Sequence, residues 1–107
     1  LKRIARRASL GLARTGSISG NGSGDIFVAF STANPRAALP SGISHLEMLS
    51  NDDMNPLFEA TVEATEEAIV NALVAAETMT GADDHKAIAL PHDRLRKLLR
   101  KYNRLAR

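Results

Sequence analysis

An unbroken apolar run, Ile26–Phe30, follows directly on a loop of small and polar residues. The run contains no polar residue to alternate with, so it is not typical of a strand with one face in water. A strand without alternation is usually covered on both faces, as in a sheet with helices packed over it. We therefore expect a buried strand from Asp25 to Thr32.

Three other stretches repeat apolar residues at intervals of three and four, which predicts amphipathic helices. The first runs from Leu1 to near Gly16, and its small residues would allow it to lie close against a sheet. The second runs from Asn55, as a cap, to about Met79. Pro91 opens the third helix, and Lys86–Leu90 is a candidate short strand before it.

Mixed helices and strands indicate the α/β (α+β) class, and residues 1–107 form one domain or part of one. Residues 34–56 lack a clear period. A connection of this length is uncommon in a compact domain, so we expect it to include a short strand or a functional loop.

The charge is distributed unevenly, although 14 basic and 12 acidic residues give a net charge of only +2. No acidic residue precedes Asp25, and from Lys86 onward Asp93 is the one acid among eight basic residues. Segments of opposite sign can pack against each other or against a separate subunit. The chain has no cysteine, and its start lacks the apolar core of a signal peptide. No window is both long and apolar enough to span a membrane. The bacterial cytoplasm and periplasm are both compatible with this sequence.

The loop before the apolar run contains the candidate chemistry. Ser23 and Asp25 are two residues apart, so in strand geometry both side chains point the same way and place a hydroxyl beside a carboxylate. Asn, Gly, Ser and Asp are also ordinary turn residues, and spacing alone leaves both interpretations open. The spacing of Asp83, Asp84, His85 and His92 matches no strong zinc signature, so we expect no metal and no cofactor.

Segments along nearly the whole chain resemble, in order, the β-peptidyl aminopeptidases, relatives of the L-aminopeptidase/D-amino-acid esterase/amidase. These segments are Leu1–Ala8, Gly16, Asn21–Phe27, Ala29–Asn34, Asn55–Phe58, Glu63–Ala68, Thr78–Gly81 and Ala89–Pro91. The resemblance implies a precursor that cleaves itself into a large α and a small β subunit, with the new amino-terminal serine of β as the nucleophile. It also implies a four-layer αββα sandwich and an assembly of several αβ pairs.

On this resemblance, the chain looks like the β subunit without its first stretch, and the nucleophilic serine is expected a short way before Leu1. The second active-site serine of the family matches Ser23, and its nearby carboxylate matches Asp25, where some members have Glu. The expected function is hydrolysis of small peptides, amides or esters with a free amino end, including β-peptides or D-amino-acid esters, without a nucleic-acid or membrane partner. The alternatives are a basic interaction module without chemistry and a related self-processing acyltransferase.

Overall fold

The computed structural model describes residues 1–105. Their contacts form two compact units, divided in the sequence between Glu67 and Ala68, which are considered separately below. The elements, in chain order, are helix α1 (Lys2–Arg14), a 3-10 helix (Asn51–Met54), helix α2 (Asn55–Ala75), strand β1 (Met79–Thr80), a second 3-10 helix (Ala82–Asp84), strand β2 (Lys86–Ala87) and helix α3 (His92–Lys101). No helix among these residues is both long and apolar enough to cross a membrane.

The core of the first unit is the contact between α1 and the beginning of α2. Phe58 and Val62 are the buried large apolar side chains among residues 1–105, at 8% and 9% exposure. Gly11 of α1 lies so close to α2 that an added Cβ would be 2.5 Å from the Val62 carbonyl oxygen. Within this chain, the close neighbour of Gly11 is therefore the helix α2 and not a sheet.

Two arginines of α1 cover the outer side of this core. The Arg7 guanidinium carbon lies 3.6 Å from the centroid of the Phe58 ring, and that of Arg3 lies 4.9 Å from it. Arg3 Nη1 also donates a hydrogen bond of 2.7 Å to Asn51 Oδ1. Guanidinium groups stack favourably on aromatic faces, so these charged residues are part of the packing.

The segment predicted to be a buried strand is extended but unpaired. Residues 25–32 contain no strand, and Ile26, Val28 and Phe30 leave 87%, 83% and 83% of their surface exposed. A strand needs a neighbour to take up its backbone N–H and C=O groups. Residues 1–105 supply no neighbour for this segment, so the prediction of a buried strand is wrong for the chain by itself.

The long connection after this segment includes a loop, residues 34–47, that is held by hydrogen bonds among its own residues. The Asn34 side chain bonds to the backbone of Glu47, and Ser44 Oγ donates a hydrogen bond of 3.0 Å to the Arg36 carbonyl oxygen. The connection contains no short strand, and its regular structure is the 3-10 helix that precedes α2.

The second unit contains a two-stranded antiparallel hairpin, in which Met79 pairs with Ala87 and Thr80 with Lys86. The predicted strand Lys86–Leu90 is thus shorter than expected, and Asp83 and Asp84 in the turn both have positive φ, 53° and 58°. The prediction that α2 continues to Met79 is wrong, since that residue already belongs to β1.

Helix α2 ends at Ala75, where the side chain of a later helix meets its last turn. His92 Nε2 lies 2.9 Å from the Val74 carbonyl oxygen, which is one of the acceptors left free at a helix end. Helix α3 then begins at His92, one residue after the predicted start at Pro91.

Candidate functional site

The loop that precedes the extended segment is a turn, as its composition indicates. The Ser23 N–H donates a hydrogen bond of 2.8 Å to the Gly20 carbonyl oxygen, and Asn21 and Gly22 lie at the corner. Gly22 and Gly24 have no atoms within 4 Å of a would-be Cβ, so the backbone on each side of Ser23 is open to an approaching group.

Ser23 and Asp25 meet at the end of this turn. Ser23 Oγ donates a hydrogen bond to Asp25 Oδ2, which confirms that the two side chains point the same way. Both residues are exposed in this chain. Both interpretations of the sequence are thus compatible: residues 20–23 form a turn, and the Ser23 hydroxyl at its end lies beside the Asp25 carboxylate.

The chemistry open to this pair follows from its hydrogen-bond roles. A serine hydroxyl has one donor and two acceptor lone pairs, whereas an ionised carboxylate only accepts. With its proton directed to Asp25, the Ser23 oxygen has acceptor capacity left for a donor that approaches from solvent. The pair can therefore hold a hydroxyl or ammonium group, or pass a proton along two oxygens, as in serine and threonine nucleophile sites.

The other polar clusters considered from the sequence are engaged in structure. Asp83 and Asp84 form the hairpin turn, and the imidazole of His92 meets the end of α2. Within residues 1–105 no group of three or more His, Asp or Glu side chains is placed to hold a metal ion.

The basic residues of the two terminal helices differ in their surroundings. Arg3 and Arg7 lie over Phe58, and Arg14 Nη1 pairs with Glu66 Oε2 at 3.1 Å. In α3, the ion pair between Arg96 and Asp93, at 3.7 Å, lies within the helix, and Leu98 of the same helix is 53% exposed.

One arrangement at the far end of the extended segment has no clear signal in the sequence. Asn34 Nδ2 donates to the Glu47 carbonyl oxygen at 3.1 Å, and the Glu47 N–H donates to Asn34 Oδ1 at 2.9 Å. The position of Asn34 before Pro35 indicates a turn, but it does not identify a backbone partner 13 residues away.

Comparison with known proteins gives a consistent set of relatives. The sequence pattern of peptidase family S58 matches residues 1–87. Beta-peptidyl aminopeptidase BapA of Sphingosinicella microcystinivorans is 51% identical over 107 residues, covering 99% of this chain and 27% of that protein. The protein of the same name from Sphingosinicella xenopeptidilytica is 45% identical over 102 residues, covering 94% of this chain and 25% of that protein.

Two solved structures resemble the chain closely. The PH0078 protein from Pyrococcus horikoshii OT3 matches 96% of this chain and 29% of its own length, with a TM-score of 0.87 and 50% identity. The L-aminopeptidase D-Ala-esterase/amidase from Ochrobactrum anthropi, described as a variant of the Ntn hydrolase fold, matches 99% of this chain and 30% of its own length, with a TM-score of 0.85 and 47% identity. The chain thus has the structure of part of that fold and spans less than a third of each of these four proteins.

Proposed function

Since this chain belongs to peptidase family S58, we propose that the protein of which it forms a part is a serine aminopeptidase or amidase. Its substrates are small peptides, amides or esters with a free amino end, among them β-peptides or D-amino-acid esters. The observation that carries the proposal is the Ser23–Asp25 hydrogen bond at the mouth of the extended segment. The names of the relatives support the same class of activity.

In this proposal the reaction passes through an acyl-enzyme. The nucleophile is an amino-terminal serine on polypeptide outside this chain, and its own α-amino group accepts the hydroxyl proton. The serine oxygen attacks the substrate carbonyl, the bond to the leaving amine or alcohol breaks, and the leaving group takes up the proton. Water then hydrolyses the ester and restores the serine hydroxyl.

Ser23 and Asp25 serve this reaction from beside the nucleophile. Before the attack, the Ser23 oxygen accepts a hydrogen bond from the nucleophilic serine while Asp25 holds the Ser23 hydroxyl in orientation. In the attack, the Ser23 hydroxyl turns from Asp25 to the α-amino group, so that its oxygen takes the proton of the nucleophile as its own proton passes to the α-amino nitrogen. Asp25 also has the charge needed to receive the ammonium group of the substrate. The donors that stabilise the oxyanion lie mostly on the rest of the protein, and the reaction needs no metal or cofactor.

The exposed apolar surface supports a larger architecture. We propose that residues 1–107 are part of a β subunit that completes a four-layer αββα sandwich with an α subunit cut from the same precursor, and that several αβ pairs assemble. An exposed apolar patch of this kind usually marks a surface that another part of the protein covers, and it includes Ile26, Val28 and Phe30. In this proposal, strands from the remaining protein cover these side chains and pair with the backbone of the segment. The relatives are long enough to supply those strands, because this chain covers 25–30% of their length.

Two substitutions in the complete precursor test the site. Ser23→Ala and Asp25→Asn should each lower kcat for an aminoacyl anilide by about 10²–10⁴-fold, the usual contribution of a positioned proton-transfer group. Ser41→Ala and Asp53→Asn remove the same groups from exposed positions elsewhere and should leave the rate unchanged. Normal turnover in both Ser23→Ala and Asp25→Asn would refute the site assignment.

The basic interaction module is the weaker alternative. Of the five basic residues that precede Asp25, Arg3, Arg7 and Arg14 already contact Phe58 or Glu66. A salt-dependent affinity for DNA or anionic vesicles, together with no hydrolysis by the complete protein, would favour this alternative over the enzyme.

A further inference from the structure

The sequence of the extended segment does not determine its register, that is, its alignment against a neighbouring strand. A shift of one residue along a strand turns every side chain to the opposite face of the sheet. Polar residues on one face normally prevent such a shift, but Ile26–Phe30 is apolar at every position and fits a covered sheet equally well either way round. After a shift of one residue, Gly24 would occupy the face on which Ser23 and Asp25 had been, and those two side chains would point to the opposite face. The register therefore decides which groups face the site.

A specific contact lies at the other end of this segment. The half-buried Asn34 forms a two-point hydrogen bond with the backbone of Glu47, in which its Nδ2 donates over 3.1 Å and its Oδ1 accepts over 2.9 Å. This arrangement imitates the exchange of bonds between two antiparallel strands. The neighbours Ala33 and Pro35 have no side-chain donor or acceptor, so a shift of one residue in either direction would break both bonds.

The loop that joins Asn34 to Glu47 has further internal hydrogen bonds. The Ala37 N–H donates to the Asn34 carbonyl oxygen at 3.0 Å, and Ser44 Oγ donates to the Arg36 carbonyl oxygen at 3.0 Å. These bonds brace the loop from residue 34 to residue 44. Beyond Glu47, the chain is held at Asn51, whose side chain accepts a hydrogen bond from Arg3. Asn34 therefore connects the end of the extended segment to a braced loop, nine positions after Asp25.

We propose that Asn34 is a positioning residue that fixes the register of residues 25–32 and thereby keeps Ser23 and Asp25 on the side where they act. The proposal rests on the proposed function for its catalytic consequence. Asn34 touches neither the substrate nor the reacting atoms, and its effect on the reaction passes through the Ser23–Asp25 pair.

The test uses the complete precursor with Asn34→Ala, Asn34→Asp and, as a matched control, Asn71→Ala on the exposed surface of α2. Asn34→Ala should lower kcat about 10–100-fold with KM changed less than about threefold, because two hydrogen bonds that hold the site are lost. Asn34→Asp retains the acceptor for the Glu47 N–H and should fall between wild type and Asn34→Ala. Asn71→Ala should behave as wild type.

A double variant separates positioning from mere stabilisation. If Asn34 acts through Ser23, then Ser23→Ala/Asn34→Ala should turn over no more slowly than Ser23→Ala alone, since coupled groups are not additive. Fully additive losses, or an Asn34→Ala protein with wild-type kcat, would overturn the proposal. If Asn34→Ala does not fold, the same comparison is made with Asn34→Asp.

Hydrogen exchange in the complete protein keeps this claim separate from the proposed function. The amides of residues 26–32 and of Glu47 should lose protection in Asn34→Ala and keep it in Asn71→Ala. Unchanged protection in Asn34→Ala would overturn the register claim whether or not the wild-type protein hydrolyses the anilide. Absence of hydrolysis by wild type would instead refute the proposed function.

Discussion

Two apolar regions of the same compact unit differ sharply in burial. The contact between α1 and α2 encloses Phe58 and Val62, at 8% and 9% exposure, whereas Ile26 and Phe30 of the extended segment are 87% and 83% exposed. The difference does not come from hydrophobicity, because the extended segment is the more continuously apolar of the two.

The contrast lies in what each element needs from its surroundings. A helix satisfies its own backbone hydrogen bonds, so two helices need only side-chain packing to form a contact. A strand satisfies its backbone only when another strand lies beside it. The helical contact therefore forms within this chain, while the segment next to Ser23 and Asp25 finds no strand partner among residues 1–105.

The largest expected effect concerns the buried helix contact. Phe58→Ala in the complete protein should lower the free energy of unfolding by about 3–5 kcal/mol, since it leaves a cavity and removes the ring on which Arg3 and Arg7 lie. Urea denaturation measures this change. A loss below about 1 kcal/mol would mean that Phe58 is not the centre of a core.

The next effect tests whether the extended segment is covered in the complete protein. Ile26→Ala should cost about 2–4 kcal/mol if strands and helices from the remaining polypeptide bury it. Ile18→Ala, at a residue that is 92% exposed in the preceding loop, serves as the control. Equal and small losses for both variants in urea denaturation would contradict the proposed sandwich.

The smallest effect probes the closeness of the two helices. Gly11→Ala should cost about 1–3 kcal/mol, because the new methyl group would lie 2.6 Å from the Thr65 Cβ. Gly20→Ala introduces the same group where nothing lies within 4 Å and should change stability much less. A neutral Gly11→Ala, with the melting temperature as the measurement, would show that the contact can open without penalty.

The sequence predicted the elements that depend on local pattern. Helix α1 ends at Arg14, close to the expected Gly16, and α3 begins at His92, close to the expected Pro91, since an amphipathic stripe and its stop signals lie within a few residues. The side-by-side orientation of Ser23 and Asp25 agrees with their two-residue spacing, although the spacing alone left an ordinary turn open. These features need no information from distant parts of the chain.

Features that depend on distant partners were not predictable in this way. The end of α2 at Ala75 is followed by residues that enter a hairpin, and helical propensity alone gives no sign of that change. The unpaired state of residues 25–32 reflects a missing neighbour, which no pattern within the segment records. The bond between Asn34 and Glu47 likewise joins side chain and backbone across a long loop.

The hairpin turn contains two backbone positions at which substitution can raise the stability of the protein. Asp83 and Asp84, at φ 53° and 58°, both occupy the left-handed region, where residues other than glycine carry a steric cost. Asp tolerates that region better than most residues, and glycine avoids the cost altogether. We therefore expect both positions to accept Gly or Asn, and we expect Val, Ile or Thr at either position to destabilise the turn. Backbone geometry alone is therefore enough to restrict the residues that fit these two positions.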